Sequence, residues 1–155
     1  MLPYDRSVSP NFLLATDTTF ESVLTMMAQL YAQGNDPFDP ARARHATGKL
    51  MAEPEFGGVW TIHMDGAIAG YMVVVLGYSL EFGGRFGLLD ELFVDAAWRG
   101  CGLGSAALGF AEKQCRERGW QALRLEVGNQ NEPALGLYRR SGFEVHDRFL
   151  MTKWI

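Results

Sequence analysis

The run "WRGCGLGS" at residues 98–105 places Gly100, Gly102 and Gly104 at alternate positions. Glycine weakens strands and helix interiors alike, so this spacing needs a reason. The run stands between an apolar stretch, "GLLDELFV", and a helical one, "GLGSAALGFAEKQCRER". A helix N-terminus offers unpaired N–H groups and the positive end of the helix dipole. Glycines let the backbone approach an anion and wrap it. Arg99 adds a fixed positive charge at the mouth. The run therefore reads as a phosphate cradle. It is not a P-loop, since no Lys follows the glycines. Nor is it a dinucleotide fingerprint: counted from Gly100 the last position is Ser105, and "DAAW" separates the glycines from the strand. A glycine-rich turn without a ligand stays open on these residues alone.

The elements around the cradle follow from periodicity and stop signals. "TTFE" forms a capping box at Thr18 and Glu21. Phe20, Val23, Leu24, Met27, Leu30 and Tyr31 then share one helical face, and Gly34 closes the helix. Met26 and Met27 read as core. A second helix starts at Asp39 with Pro40 in its first turn and ends before Pro54. "GVWTIHM" and "AIAGYMVVVLGY" flank the turn signal "DG", a hairpin. "FGLLDELFV" is a third strand. The helix after the cradle runs from about Gly102 to Arg118, with Leu103, Ala107, Phe110 and Gln114 on one stripe. "ALRLEV" is a strand. "NEPALGLYRRSG" is a short helix capped by Asn131, with Pro133 in its first turn and Gly142 as its stop. "FEVHDRFLMTKWI" closes the chain as two strands. The order is α-α-β-β-β-α-β-α-β-β. Its middle strand, helix and strand form a parallel crossover, and the rest of the sheet is antiparallel.

Composition bounds the function. The 155 residues fit one domain, residues 1–155, and 48% are hydrophobic. A net charge of -4 argues against nucleic acid as a partner. Cys101 and Cys115 have neither CxxC spacing nor a Cys/His cluster, and His45, His63 and His146 are scattered. No metal site or disulfide is expected. "MLPYDRSVSPNF" lacks the layout of a signal peptide, and "GYMVVVLGY" is far too short to span a membrane. The expectation is a cytoplasmic enzyme with no membrane or nucleic-acid partner.

Two blocks together resemble the acetyl-CoA-binding core of the GNAT N-acetyltransferase superfamily. Arg99, Gly102 and Gly104 fill its Q/R-x-x-G-x-G/A pattern. "NEPALGLYRRSGF" supplies Asn131, Ala134, Leu137, Tyr138, Gly142 and Phe143 of its second element, at a similar separation. The resemblance runs from about Phe86 to Ile155, nearly half the chain. It implies an α/β fold with a mixed, mostly antiparallel sheet of about six or seven strands. A central parallel βαβ crossover and flanking helices complete that fold. It also implies acetyl-CoA as co-substrate, no metal, and direct attack by a primary amine. A homodimer is compatible with it. A non-catalytic acyl-CoA-binding module is the rival reading.

The resemblance also implies roles. Backbone of Gly100, Cys101, Gly102, Leu103, Gly104 and Ser105 would hold the pyrophosphate. Backbone of Leu92, Phe93 and Val94 would pair with the pantetheine arm. Tyr138 matches the general acid that protonates the departing thiolate. A phenol of pKa near 10 can donate to a thiolate whose thiol pKa is near 8.5. Asp90 and Glu91 lie beside the acceptor region, as does an acidic pair in the polyamine-acetyltransferase branch, and strand alternation sends them to opposite faces. Either could be the base, or neither. Tyr31, Asp36, Tyr78 and Glu81 belong to the acceptor-side wall by the same analogy. The acidic group tilts the acceptor toward a small cationic amine.

Overall fold

The structure is a computed structural model and describes residues 9–155. Much of the N-terminal stretch read for a leader lies outside the described residues. The described elements are β1 (Asn11–Leu14), α1 (Phe20–Gly34), α2 (Pro40–Ala52), β2 (Gly57–Met64), β3 (Ala67–Ser79), β4 (Gly84–Val94), α3 (Leu103–Glu117), β5 (Leu123–Leu125) and α4 (Glu132–Arg140). Single 3-10 turns lie at Pro54–Phe56 and Ala96–Trp98. The strands form one sheet in the order β1-β2-β3-β4-β5. Its first three pairings are antiparallel. β4 and β5 are parallel, Gly87–Leu89 facing Leu123–Leu125, with α3 as the crossover.

Local signals set most of these elements. Asp39 caps α2, its Oδ1 accepting the N–H groups of Ala41 and Arg42, each at 3.1 Å. Asp65 and Gly66 both take left-handed backbone, as the tight turn between β2 and β3 requires. Asn131 caps α4 by accepting the Ala134 N–H at 3.3 Å. At α1 the threonines behave differently from the expected capping box. The helix starts at Phe20, and the Thr19 hydroxyl turns back to Thr16, accepting its N–H at 2.9 Å and donating to its carbonyl at 3.2 Å. Side chains of this type compete for nearby backbone, and here the preceding turn wins. The left-handed residue that ends α1 is Asn35, one beyond the expected Gly34.

The sheet separates two cores. On one face Trp60, Ile62, Met72, Val74 and Leu89 pack against Leu103, Ala107, Leu108, Ala111 and Cys115 of α3. On the other, Val59, Tyr71, Val73 and Phe93 pack against Val23, Met26 and Met27 of α1. Of the expected α3 stripe, Leu103 and Ala107 are buried, and Phe110 packs partly buried against the same core, edge-on to Trp60 and stacked on Phe12 of β1 with ring centroids 4.4 Å apart. Gln114 is not among the core residues.

Five strands stand where six or seven were expected. β1, short and without a turn signal, was not anticipated; it pairs with β2 from Asn11–His63 to Leu14–Trp60. The two strands expected in residues 143–155 do not form. Alternating apolar residues permit a strand, but a strand also needs a ladder partner. This segment is held by side chains instead. Arg148 makes a two-pronged contact with Glu81 in the β3–β4 turn, and Arg42 of α2 lies 5.6 Å from the Trp154 ring.

Candidate active site

β4 carries a bulge at the point where chemistry is expected. Val73 of β3 faces Glu91, and Val74 faces Leu89, so Asp90 is an extra residue with no partner across the ladder. Such an insertion shifts the phase of everything after it. Leu89 belongs to the α3 face, and Phe93 to the α1 face. Glu91 turns toward α1 as well, where simple alternation from Leu89 would have sent it to α3. The expectation that Asp90 and Glu91 part to opposite faces therefore fails. The Asp90 charge is felt at Glu91, Tyr31 and Tyr71 alike.

Glu91 is gripped at both oxygens. Tyr31 of α1 donates its hydroxyl to Oε1 at 3.0 Å, and Tyr71 of β3 donates to Oε2 at 2.9 Å. Burial pushes the Glu91 carboxyl above its ordinary range, while the two hydroxyls pull it back down. Burial, then the Glu91 charge, pushes the Tyr31 phenol up to about 12. The same causes raise Tyr71 further. Both tyrosines thus stay protonated and act as donors. Desolvation also raises Asp90, although this residue keeps an open side to solvent.

Beyond Leu89, β4 runs on to Val94 while its pairing with β5 stops at Leu89–Leu125. The parallel strands part there. The edge of Leu92, Phe93 and Val94 that faces away from β3 has no ladder partner among the described residues. The chain then makes its turn at Ala96–Trp98, capped by Asp95, whose Oδ1 accepts the Ala97 N–H at 2.9 Å. Arg99 donates Nε–H to the Val94 carbonyl at 3.1 Å. Gly100 and Gly102 adopt φ of 76° and 82°, left-handed values that other residues rarely take. Gly102 is the N-cap of α3 and offers no side chain to its first turn. The N–H groups of Leu103, Gly104 and Ser105 accordingly lack acceptors within the helix. The Leu103 side chain is core, so only its backbone faces the loop. The Cys101 thiol turns to the Arg99 carbonyl at 3.7 Å.

Gly104 also makes room within the protein. A β-carbon there would lie 2.9 Å from Leu137 Cδ2, so this glycine lets α4 approach α3. That approach brings in Tyr138, the neighbour of Leu137. Tyr138 is half-buried, packs edge-on to Phe143 at 5.9 Å, and lines a groove of about 1480 Å³ with Ser105, Leu108, Leu125 and Val127. Burial raises its phenol. Its hydroxyl has no hydrogen-bond partner among the described residues. Glu91 does not line this groove; it lies on the α1 side of the sheet.

Other expected residues separate. Tyr31 joins Glu91 directly, and the charge of Asp36 reaches Tyr31. Tyr78 is 72% exposed at the end of β3. Both oxygens of Glu81 are engaged by Arg148, at 2.9 and 3.1 Å. Its charge is therefore already matched. Sequence reasoning missed Tyr71. The available signal was a tyrosine inside the apolar run "GYMVVVLGY", since a buried phenol must find an acceptor. No group of three or more His, Cys, Asp or Glu able to hold a metal occurs among the described residues. No described helix is long and apolar enough to cross a membrane.

Comparison with known proteins places this geometry. Residues 24–143 match the model of the Acetyltransferase (GNAT) family. The chain is 37% identical over 110 residues to a streptothricin acetyltransferase of Streptomyces lavendulae, covering 71% of this chain and 52% of that protein. It is 32% identical over 133 residues to a mycothiol acetyltransferase of Nocardiopsis dassonvillei, covering 83% and 35%. The chain thus spans about a third to a half of these curated relatives. Among solved structures, an integron cassette protein from a salt-marsh metagenome superposes with a TM-score of 0.81 at 30% identity, covering 93% of this chain and 90% of that one. The aminoglycoside acetyltransferase AAC(6')-Iy, in complex with a bisubstrate analogue built on coenzyme A, superposes with a TM-score of 0.80 at 16% identity, covering 95% and 99%. The chain belongs to the GNAT acetyltransferase family.

Proposed function

We propose that the protein transfers an acetyl group from acetyl-CoA to the primary amine of a small cationic acceptor. The observation that carries this reading is the parting of β4 and β5 between an uncapped helix N-terminus and a clamped carboxylate. Acetyl-CoA fits the residues present. A β-carbon built on Gly100 or Gly102 meets nothing within 4 Å, so the loop has open space before it. The uncapped N–H groups of Leu103, Gly104 and Ser105 suit the pyrophosphate. The free edge of Leu92, Phe93 and Val94 suits the amides of an extended arm. Asn131 and Ala134 act together, as cap and capped residue, to set the start of α4 and so the place of Tyr138. When bound, acetyl-CoA supplies the activated acetyl group and a thiolate leaving group.

The chain's own residues do the rest. Backbone N–H groups along β4 can donate to the carbonyl oxygen as charge develops on it. Tyr138, kept protonated by burial, holds the proton that the leaving sulfur needs. Glu91 holds the acceptor's positive charge and orients its nitrogen, directly or through water. The ammonium loses one proton to solvent before it attacks. The second, shed as the C–N bond forms and the C–S bond breaks, returns to the Tyr138 oxygen through water. The bland alternative for Glu91 is a satisfied buried acid, and the mixed exposure of the Tyr31 side argues against it. The relatives named above support small amines as acceptors, since an aminoglycoside enzyme shares the fold and a streptothricin enzyme shares much of the sequence.

The donor half is tested by Ser105→Asp. Ser105 is exposed in the first turn of α3, where a new carboxylate suits the helix dipole. The same charge would repel a pyrophosphate. Acetyl-CoA affinity measured by calorimetry should fall about tenfold or more, equivalent to ~1.4 kcal/mol. The melting temperature should stay level or rise. Unchanged affinity would remove the cradle. The transfer itself is tested by thiol release from acetyl-CoA against a panel of amines, where silence across the panel would defeat the enzyme reading.

A further inference from the structure

The two hydroxyls on Glu91 are not equivalent. Tyr71 is fully buried in the strand layer, opposite Phe93 and packed among Val23, Val59 and Val73. Tyr31 stands partly exposed near the end of α1, its ring edge-on to Phe38 at 5.3 Å. One donor is fixed by the core; the other sits on the open side. Thr61, the buried polar residue opposite Tyr71 in the β2–β3 ladder, spends its hydroxyl on the Leu13 carbonyl and on His63, so among the described residues the Tyr71 hydroxyl makes its one side-chain hydrogen bond to Glu91.

We propose that Tyr71 is the positioning residue of the acceptor site: it fixes Glu91 through Oε2 and leaves Oε1, behind the displaceable Tyr31 hydroxyl, to meet the acceptor's ammonium group. The inference rests on the reading of Glu91 as the acceptor-side carboxylate. A carboxylate on a rotatable side chain would spread its charge over several directions. One buried hydrogen bond confines it to one, so the incoming nitrogen is oriented as well as attracted. An ammonium that takes Oε1 needs only the Tyr31 hydroxyl to swing aside. Displacing Tyr71 would leave a phenol unpaired in an apolar core, which is costly. The other charged groups facing the cluster are Asp90 on β4 and Asp36 beyond α1. Both are acidic, and neither is altered by removing a tyrosine hydroxyl.

The test reads Glu91 directly. Carboxyl carbon NMR on protein labelled at glutamate, assigned by loss of one signal in Glu91→Gln, gives its titration midpoint without any acceptor. Tyr71→Phe should raise that midpoint by about one pH unit or more, because a hydrogen bond to the ionised form is lost. Tyr31→Phe should raise it less. With 1,4-diaminobutane as the probe amine, Tyr71→Phe should raise KM about fivefold or more. The acidic limb of kcat/KM should move up with the NMR midpoint. In the Glu91→Gln background, Tyr71→Phe should add nothing. A folded Tyr71→Phe whose Glu91 midpoint is unmoved overturns the proposal while leaving the site reading intact. A midpoint that moves while Glu91→Gln leaves the kinetics unchanged overturns both, since Glu91 then faces no acceptor. One measurement needs no variant of Tyr71: its hydroxyl proton, shielded from water, should give a slowly exchanging resonance in the wild type that shifts as Glu91 titrates. A resonance indifferent to Glu91 also overturns the proposal.

Discussion

Tyr138→Phe is expected to bind acetyl-CoA as the wild type does and to turn over about a hundred- to ten-thousand-fold more slowly, the usual worth of a positioned general acid. The ring of Tyr138 is what packs against Phe143 and the α3 face, and phenylalanine keeps that ring. The hydroxyl, with no protein partner among the described residues, contributes nothing to that packing. Stability should therefore hardly change, and the loss should fall on kcat with KM for acetyl-CoA nearly constant. Steady-state kinetics and a melting curve on the same preparation check both halves. A kcat within about twofold of wild type would reduce Tyr138 to a packing residue, because a general acid costs far more to remove.

The second large effect belongs to the acceptor side. Glu91→Gln should lower kcat/KM for a diamine by about ten- to a hundred-fold, the scale of a lost charge-assisted hydrogen bond. An amine of similar length with a neutral tail should suffer less. Asp90→Asn should act in the same direction and more weakly, because its open side lets water and salt screen it. The pH dependence follows from the raised Glu91 carboxyl. As pH falls through that raised midpoint, Glu91 takes a proton, its charge disappears, and the diamine loses its partner. The acidic limb of kcat/KM should thus lie above the ordinary carboxylate range and vanish in Glu91→Gln. At the alkaline end activity should climb until the bound amine has lost its own proton. Equal losses for both amines would mean that these acids do not read substrate charge.

Much of this site was legible because its signals are local. The alternating glycines, the Asn131 cap and the Asp65–Gly66 turn each act within a few residues, so their residue types suffice to place them. Tyr138 came from the resemblance of "NEPALGLYRRSGF", a single short stretch, to an element of the family. What escaped depends on partners distant in the chain. The bulge at Asp90 is invisible to a period-two reading, because nothing in "LLDELFV" says that Val73 and Val74 will face Glu91 and Leu89. Tyr71 looks like one more apolar strand residue until Glu91, 20 positions on, is folded against it. That a side chain at Gly104 would also crowd Leu137 of α4, 33 positions on, was not legible either. The closing strands were overread for a related reason. Alternation in "FEVHDRFLMTKWI" describes a chain able to join a sheet, and the Arg148–Glu81 and Arg42–Trp154 contacts show it held elsewhere.

The division of the core by the sheet has an evolutionary consequence. The parts assigned to the donor, the glycine loop with α3 and α4, share one face, and those assigned to the acceptor, Tyr31, Tyr71 and Glu91, share the other. The two meet only where β4 and β5 diverge. Substitutions that do not share neighbours combine nearly additively. On the assignment proposed above, variation along α1 would explore new amines without retuning the hold on coenzyme A. Drift in the loop can alter that hold without disturbing which amine is chosen. A lineage built this way can diversify what it modifies while its currency stays the same, each half being free to change at its own pace.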